Sequence, residues 1–120
     1  MTTQELKQRT FEFGIRTIRA VEALPRSETA KALGRQLLRA GTSVGANYRA
    51  AARARSRADF VAKLGIAEEE CDEASYWTEV IEALKLLKPR RLANLQKEAS
   101  ELLAIVVASI KTARCGGRNQ

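Results

Sequence analysis

A chain of 120 residues with a formal net charge of +7 is long enough for one hydrophobic core and too short for two independently stable ones. Two prolines among abundant Ala, Leu, Arg and Glu argue against a sheet-rich fold and for an all-α protein. The absence of histidine removes the commonest general base and metal ligand, and no apolar run approaches the roughly 18 residues of a membrane span.

The opening residues lack the uninterrupted apolar segment of a signal peptide, so the expected location is the cytoplasm. Two cysteines without CxxC spacing read as free thiols. Charge is distributed in blocks. Residues 26–57 carry eight basic and one acidic side chain, 58–88 three and eight, and the flanks 1–25 and 89–120 four and three, then six and two. Blocks of opposite sign point to charges that meet within an assembly, with the surplus facing a polyanion or water.

In chain order, residues of about 4–24 form the first predicted helix. Phe11, Ile15, Ile18 and Val21 recur at helical spacing, with Leu6, Phe13 and Leu24 on a second apolar side. Pro25 ends it. Ser27 is placed to cap a second helix over about 28–54, and Glu28 in its first turn complements the helix dipole. Leu33, Leu37, Ala40, Val44, Tyr48 and Ala51 hold one stripe only if this helix runs unbroken through Gly41 and Gly45. Gly34, Gly41, Gly45 and Ala52 fall on one flank beside that stripe. Each glycine costs about 1 kcal/mol against alanine in a helix, so the flank predicts close approach of a neighbouring helix. A phosphate-binding loop is disfavoured, because no strand precedes the glycines and no Lys-Ser/Thr pair follows.

The third predicted helix opens at Ser56, with Asp59 in its first turn, and spans about 57–87. Phe60, Leu64, Ala67, Cys71, Ala74, Trp77, Ile81 and Leu84 mark its inner side. After Pro89 a fourth helix, about 90–113, is built on Leu92, Leu95, Ala99, Leu102, Val106 and Ile110, and 114–120 reads as a flexible tail. The run "LLAIVVA" at 102–108 is apolar on every side, which predicts cover from a second subunit. Leu103, Ile105, Val107 and Tyr76 are the candidate contacts. Four helices with short turns give a single domain, 1–120, folded as an up-down-up-down antiparallel four-helix bundle.

Opposite the apolar stripe of the second helix lie its cations. At about 100° per residue from Leu33, Lys31 and Arg49 fall near 160°, Arg35 and Arg53 near 200°, and Arg39 and Arg57 near 240°. Such a line could follow the phosphates of RNA or DNA. It could equally pair with Glu68, Glu69, Glu70, Asp72, Glu73, Glu79 and Glu82 of the third helix, in the same or a neighbouring subunit. Without interleaved aromatics, binding would be directed to the backbone rather than the bases. No histidine and no second matching helix accompany "EEECDE", so neither a metal nor another cofactor is expected, and no catalytic residues are assigned. Asn47, beside the apolar stripe, is a candidate buried polar residue fixing helix register.

One segment carries a resemblance. Ser43, Val44, Ala46-Asn47, Arg49, Arg53, Ser56, Asp59-Phe60, Leu64, Glu70, Asp72-Glu73 and Tyr76-Trp77 together resemble the small bacterial four-helix-bundle proteins related to those encoded in intervening sequences of 23S ribosomal RNA. The resemblance implies an antiparallel bundle, commonly a homopentamer, with no established enzymatic activity. A more distant branch is similar to the accessory proteins of diversity-generating retroelements, which implies nucleic acid and a reverse transcriptase as partners to consider. Ala50 stands where that family usually has an acid, so any salt bridge made there in relatives is missing.

Overall fold

A computed structural model describes residues 1–118, folded into four helices, α1 (Thr3–Glu22), α2 (Glu28–Ala52), α3 (Arg57–Ala83) and α4 (Pro89–Arg118). Each of the first three begins on a hydroxyl cap, as local sequence dictates. Thr2 accepts from the Glu5 N–H at 3.0 Å, Ser27 from Ala30 at 3.1 Å and Ser56 from Asp59 at 3.0 Å. Helices adjacent in sequence pack side by side, α4 closes against α1, and no diagonal pair meets among the described residues. The bundle measures 54 × 21 × 20 Å.

The α1–α2 seam shows the chain direction. Gly34 lies against Val21 and Leu24, Gly41 against Thr17, and Gly45 against the Thr10 carbonyl. Rising numbers on one helix meet falling numbers on the other, so the pair is antiparallel. α2 runs unbroken through its glycines, as its apolar phase requires. Leu37, Ala40, Val44, Tyr48 and Ala51 are buried on its inner side. All six inner residues of α4 from Leu92 to Ile110 are likewise in the core.

Of the two apolar sides on α1, the core takes that of Leu6 and Phe13, together with Thr10, Gly14, Thr17 and Ala20. Midway along the α1–α2 seam the backbones approach closely, with glycine meeting threonine, Gly41 against Thr17 and Gly45 against Thr10. Buried hydroxyls there need partners, and each finds one in its own helix. Thr10 donates to the Leu6 carbonyl at 2.9 Å and Thr17 to that of Phe13 at 2.8 Å. Phe11, Ile15 and Ile18 are displaced to the outer flank, where Phe11 is 51% exposed.

Three boundaries depart from the sequence reading. α2 ends at Ala52 rather than 54, because the Arg53 and Ala54 N–H groups close short bonds to Ala50 and Ala51. α3 stops at Ala83 rather than 87, since Lys85 adopts a left-handed conformation with φ 57°. Its N–H then bonds Glu82 at 3.0 Å and that of Leu86 reaches back to Ile81 at 3.1 Å, the paired closure of a Schellman motif. α4 continues to Arg118 where a tail from 114 was expected, because Gly116 takes no left-handed φ and so closes no C-cap there. The last two positions of that expected tail lie outside the described residues.

Glycine is the residue that relieves a left-handed terminus, whereas an L side chain there costs about 1 kcal/mol or more. Lys85→Gly is therefore expected to raise stability by about 0.5 kcal/mol, after allowance for the freer unfolded chain. A urea titration checks this. A lower midpoint would mean that the lysine side chain makes a stabilising contact that outweighs the strain.

Candidate nucleic-acid interface

The six candidate cations Lys31, Arg35, Arg39, Arg49, Arg53 and Arg57 are all exposed, yet they are not one stripe. Arg57 opens α3, so its phase on α2 does not carry across the turn. Lys31 lies 3.7 Å from Glu28, with both side chains largely exposed, and such a pair contributes little. Arg39 is committed to α3. Its Nη1 donates to Glu70 Oε2 at 2.9 Å and its Nη2 to Glu73, which also accepts from Trp77 Nε1 at 3.1 Å. Among the described residues, Arg35, Arg49 and Arg53 make no ion pair.

The Arg39 network perturbs titration in the sense its geometry demands. The hydrogen bond to Glu73 and the nearby charge of Glu70 hold the guanidinium above its ordinary pKa. The bonds from Arg39 and Trp77 hold the Glu73 carboxyl below the usual carboxylate range. A depressed carboxylate pKa stabilises the fold above the unfolded value, and that contribution is lost as pH falls through the folded value. The stability gap between wild type and Glu73→Gln is thus expected to be widest at neutral pH and to close in acid. Urea midpoints compared at neutral and acidic pH test this, and a constant gap would contradict it.

Other candidates settle into structural places. Burial, with the carboxylates of Asp72, Glu68 and Glu70 nearby, pushes the Cys71 thiol up to about 12, so it stays protonated and inert. Asn47 donates to the Ser43 carbonyl of its own helix at 2.9 Å. That local bond, rather than a contact across helices, satisfies it. No group of three or more carboxylates or thiols among the described residues is arranged to hold a metal ion. No helix of the described residues is long and apolar enough to cross a membrane.

In the 102–108 run, Leu103, Ile105 and Val107 are half-buried, and only Ala104 and Ala108 are exposed. Leu103 and Ile105 pack against the core. Exposed apolar bulk lies elsewhere, at Tyr76 and along an open α1–α2 groove of about 380 Å³ lined by Phe11, Ile15, Ile18, Ala46, Lys7 and Arg49. The sequence signal for this groove was the unused apolar side of α1, and Lys7 had no periodic partner to single it out. On the opposite seam, Arg9 of α1 clasps α4. Its Nε and Nη2 donate to both oxygens of Glu98 at 2.7 and 2.9 Å, and Nη2 also reaches Glu101 at 2.6 Å.

The structure therefore defines a class, an all-α four-helix bundle whose first two helices are antiparallel, with a partly open cationic helix and an apolar groove beside it. The chain belongs to the 23S rRNA-intervening sequence protein family, whose model matches residues 2–108. It is similar to the crystal structure of a protein of unknown function from the S23 ribosomal protein family of Bacteroides thetaiotaomicron. The two are 32% identical, the match covers 92% of this chain and 99% of that one, and the TM-score is 0.86. No curated protein matches the chain.

Proposed function

We propose that the protein is a non-enzymatic, self-assembling accessory bundle that binds nucleic-acid backbone through α2. The observation that carries this reading is the trio Arg35, Arg49 and Arg53, exposed and without ion pairs among the described residues. Arg35 and Arg49 lie about 21 Å apart along the helix at 1.5 Å per residue, with Arg53 at its C-cap, a length that spans several phosphates. Guanidinium groups suit phosphate oxygens in geometry as well as charge. A family description that refers to 23S rRNA makes RNA the first ligand to try.

A scaffold reading, in which basic and acidic helices satisfy one another, is favoured by Arg39, which already pairs with Glu70 and Glu73 within one chain. The two readings divide the helix between them. Arg39 serves the fold, and the trio serves the polyanion. Fluorescence anisotropy with an RNA hairpin and a DNA duplex across a salt series tests the proposal. Micromolar or tighter binding at low salt that weakens steeply with added salt is the expected result, and no binding to either at low salt overturns it.

A further inference from the structure

We propose that the strand held by α2 turns over the end of the bundle at Arg53 and crosses a second cationic surface there, so that the protein selects single-stranded nucleic acid over a straight duplex. This rests on the backbone-binding reading and extends it. The end concerned is the one where the chain turns from α2 into α3 and where α4 finishes. Thr3 of α1, Ala52 of α2, Ser56 and Arg57 at the start of α3, and Ala113 of α4 line one hollow of about 360 Å³. Residues far apart in sequence thus share one rim.

Five cations stand on that rim. Arg53, Arg55 and Arg57 alternate through the turn, and all three are exposed. Lys111 and Arg114 are exposed near the end of α4. Gln96 of α4 donates to Glu82 of α3 at 2.9 Å. Arg114 lies 18 residues beyond Gln96, five full turns at about 3.6 residues each, so it repeats that angle and stands on the α3 side of α4. Lys111, one turn earlier, shares the side. Arg55, Lys111 and Arg114 make no ion pair among the described residues. The acids here are Glu5 and Asp59, in the first turns of α1 and α3, and the cations outnumber them.

Shape supplies the selection. The bundle is 54 Å long and 21 × 20 Å across, and α2 lies along its length, so the line of Arg35, Arg49 and Arg53 meets the end face at a sharp corner. Duplex DNA has a persistence length of about 150 base pairs, so a short duplex stays straight and touches either the side or the end. A single strand bends at each nucleotide and follows both. Contacts made to phosphate are tolerant of sequence and weaken with salt.

Fluorescence anisotropy across a salt series tests this with three probes of about 20 nucleotides per strand, an oligouridylate, an oligothymidylate and a blunt DNA duplex. The variant carries Arg55→Gln, Lys111→Gln and Arg114→Gln and leaves the α2 trio intact. All three positions are exposed, and circular dichroism and sedimentation confirm that fold and assembly match wild type. Each phosphate neutralised contributes about 0.7 to the salt slope on a single strand. The slope on the single strands is expected to fall by about 2 and their affinity by about ten-fold or more at moderate salt, with duplex affinity kept within about two-fold. Should the triple variant misfold, Arg55→Gln alone takes its place, with a fall in slope of about 0.7.

Equal losses on the two single strands support recognition of phosphate alone, and a loss on the oligouridylate only supports the path with RNA as its ligand. Single-strand binding unchanged in the triple variant, while Arg35→Glu with Arg53→Glu still weakens it, would overturn the path over the end and leave the α2 reading standing. An equal or larger loss on the duplex would also overturn the proposal, because no corner would then be involved. A wild type that binds none of the probes at low salt would overturn both readings.

Discussion

Gly41→Ala is expected to destabilise the bundle by about 1–2 kcal/mol, although alanine is the better helix former. A Cβ at Gly41 would collide with the Thr17 side chain, including its own Cβ at 2.8 Å. Thr17 is fully buried and bonded to the Phe13 carbonyl, and turning its χ1 leaves its Cβ in place, so no rotamer change relieves the contact. Relief requires α1 and α2 to separate, which loosens every contact along their seam. Overpacking of this kind costs about 1–3 kcal/mol and occasionally more, against a helix-propensity gain of about 1 kcal/mol.

Gly65 supplies the opposite case on α3. A Cβ there meets nothing within 4 Å and the backbone φ is not positive, so Gly65→Ala should stabilise by about 0.5–1 kcal/mol. Urea melts of both variants give the answer in the sign of the change. A Gly41→Ala protein at least as stable as wild type would show that the α1–α2 approach is not held by that contact.

The second large effect concerns polyanion affinity. Arg35→Glu combined with Arg53→Glu replaces two unpaired cations at the two ends of the trio and leaves the groove residue Arg49 in place. Each phosphate neutralised contributes about 0.9 to the slope of log affinity against log salt on duplex DNA. The double reversal should flatten that slope by about 2 and weaken binding roughly ten-fold or more at moderate salt. Sedimentation of the same protein establishes that assembly is unchanged, so the loss reports the α2 surface itself.

Arg39→Ala is the informative contrast. Arg39 holds Glu70, which is 9% exposed, and Glu73. Removing it leaves a buried carboxylate without its cation, a change felt chiefly as stability. An unchanged affinity in the Arg35, Arg53 double reversal would remove nucleic-acid backbone as the ligand of this helix.

Local chemistry determined much of this molecule from the sequence alone. The hydroxyl caps at Ser27 and Ser56, the apolar phase of α2 through Gly41 and Gly45, and the inner stripe of α4 are all encoded within a few residues of where they act. Such signals specify where a helix begins and what angle each side chain takes around its axis. They therefore define four helices, the bundle and its family.

What the sequence could not state is which neighbour stands at each angle, and how near. α1 has two apolar sides, and the meeting of Thr17 with Gly41, distant in sequence, chose the Phe13 side and left Phe11, Ile15 and Ile18 to line a groove. Arg35 and Arg39 look alike on a helical wheel, but the placement of Glu70 and Glu73 on α3 ties down one and frees the other. Periodicity is a property of one helix, whereas burial and charge pairing belong to two, so only the tertiary structure separated the arginines that hold the fold from those open to a partner.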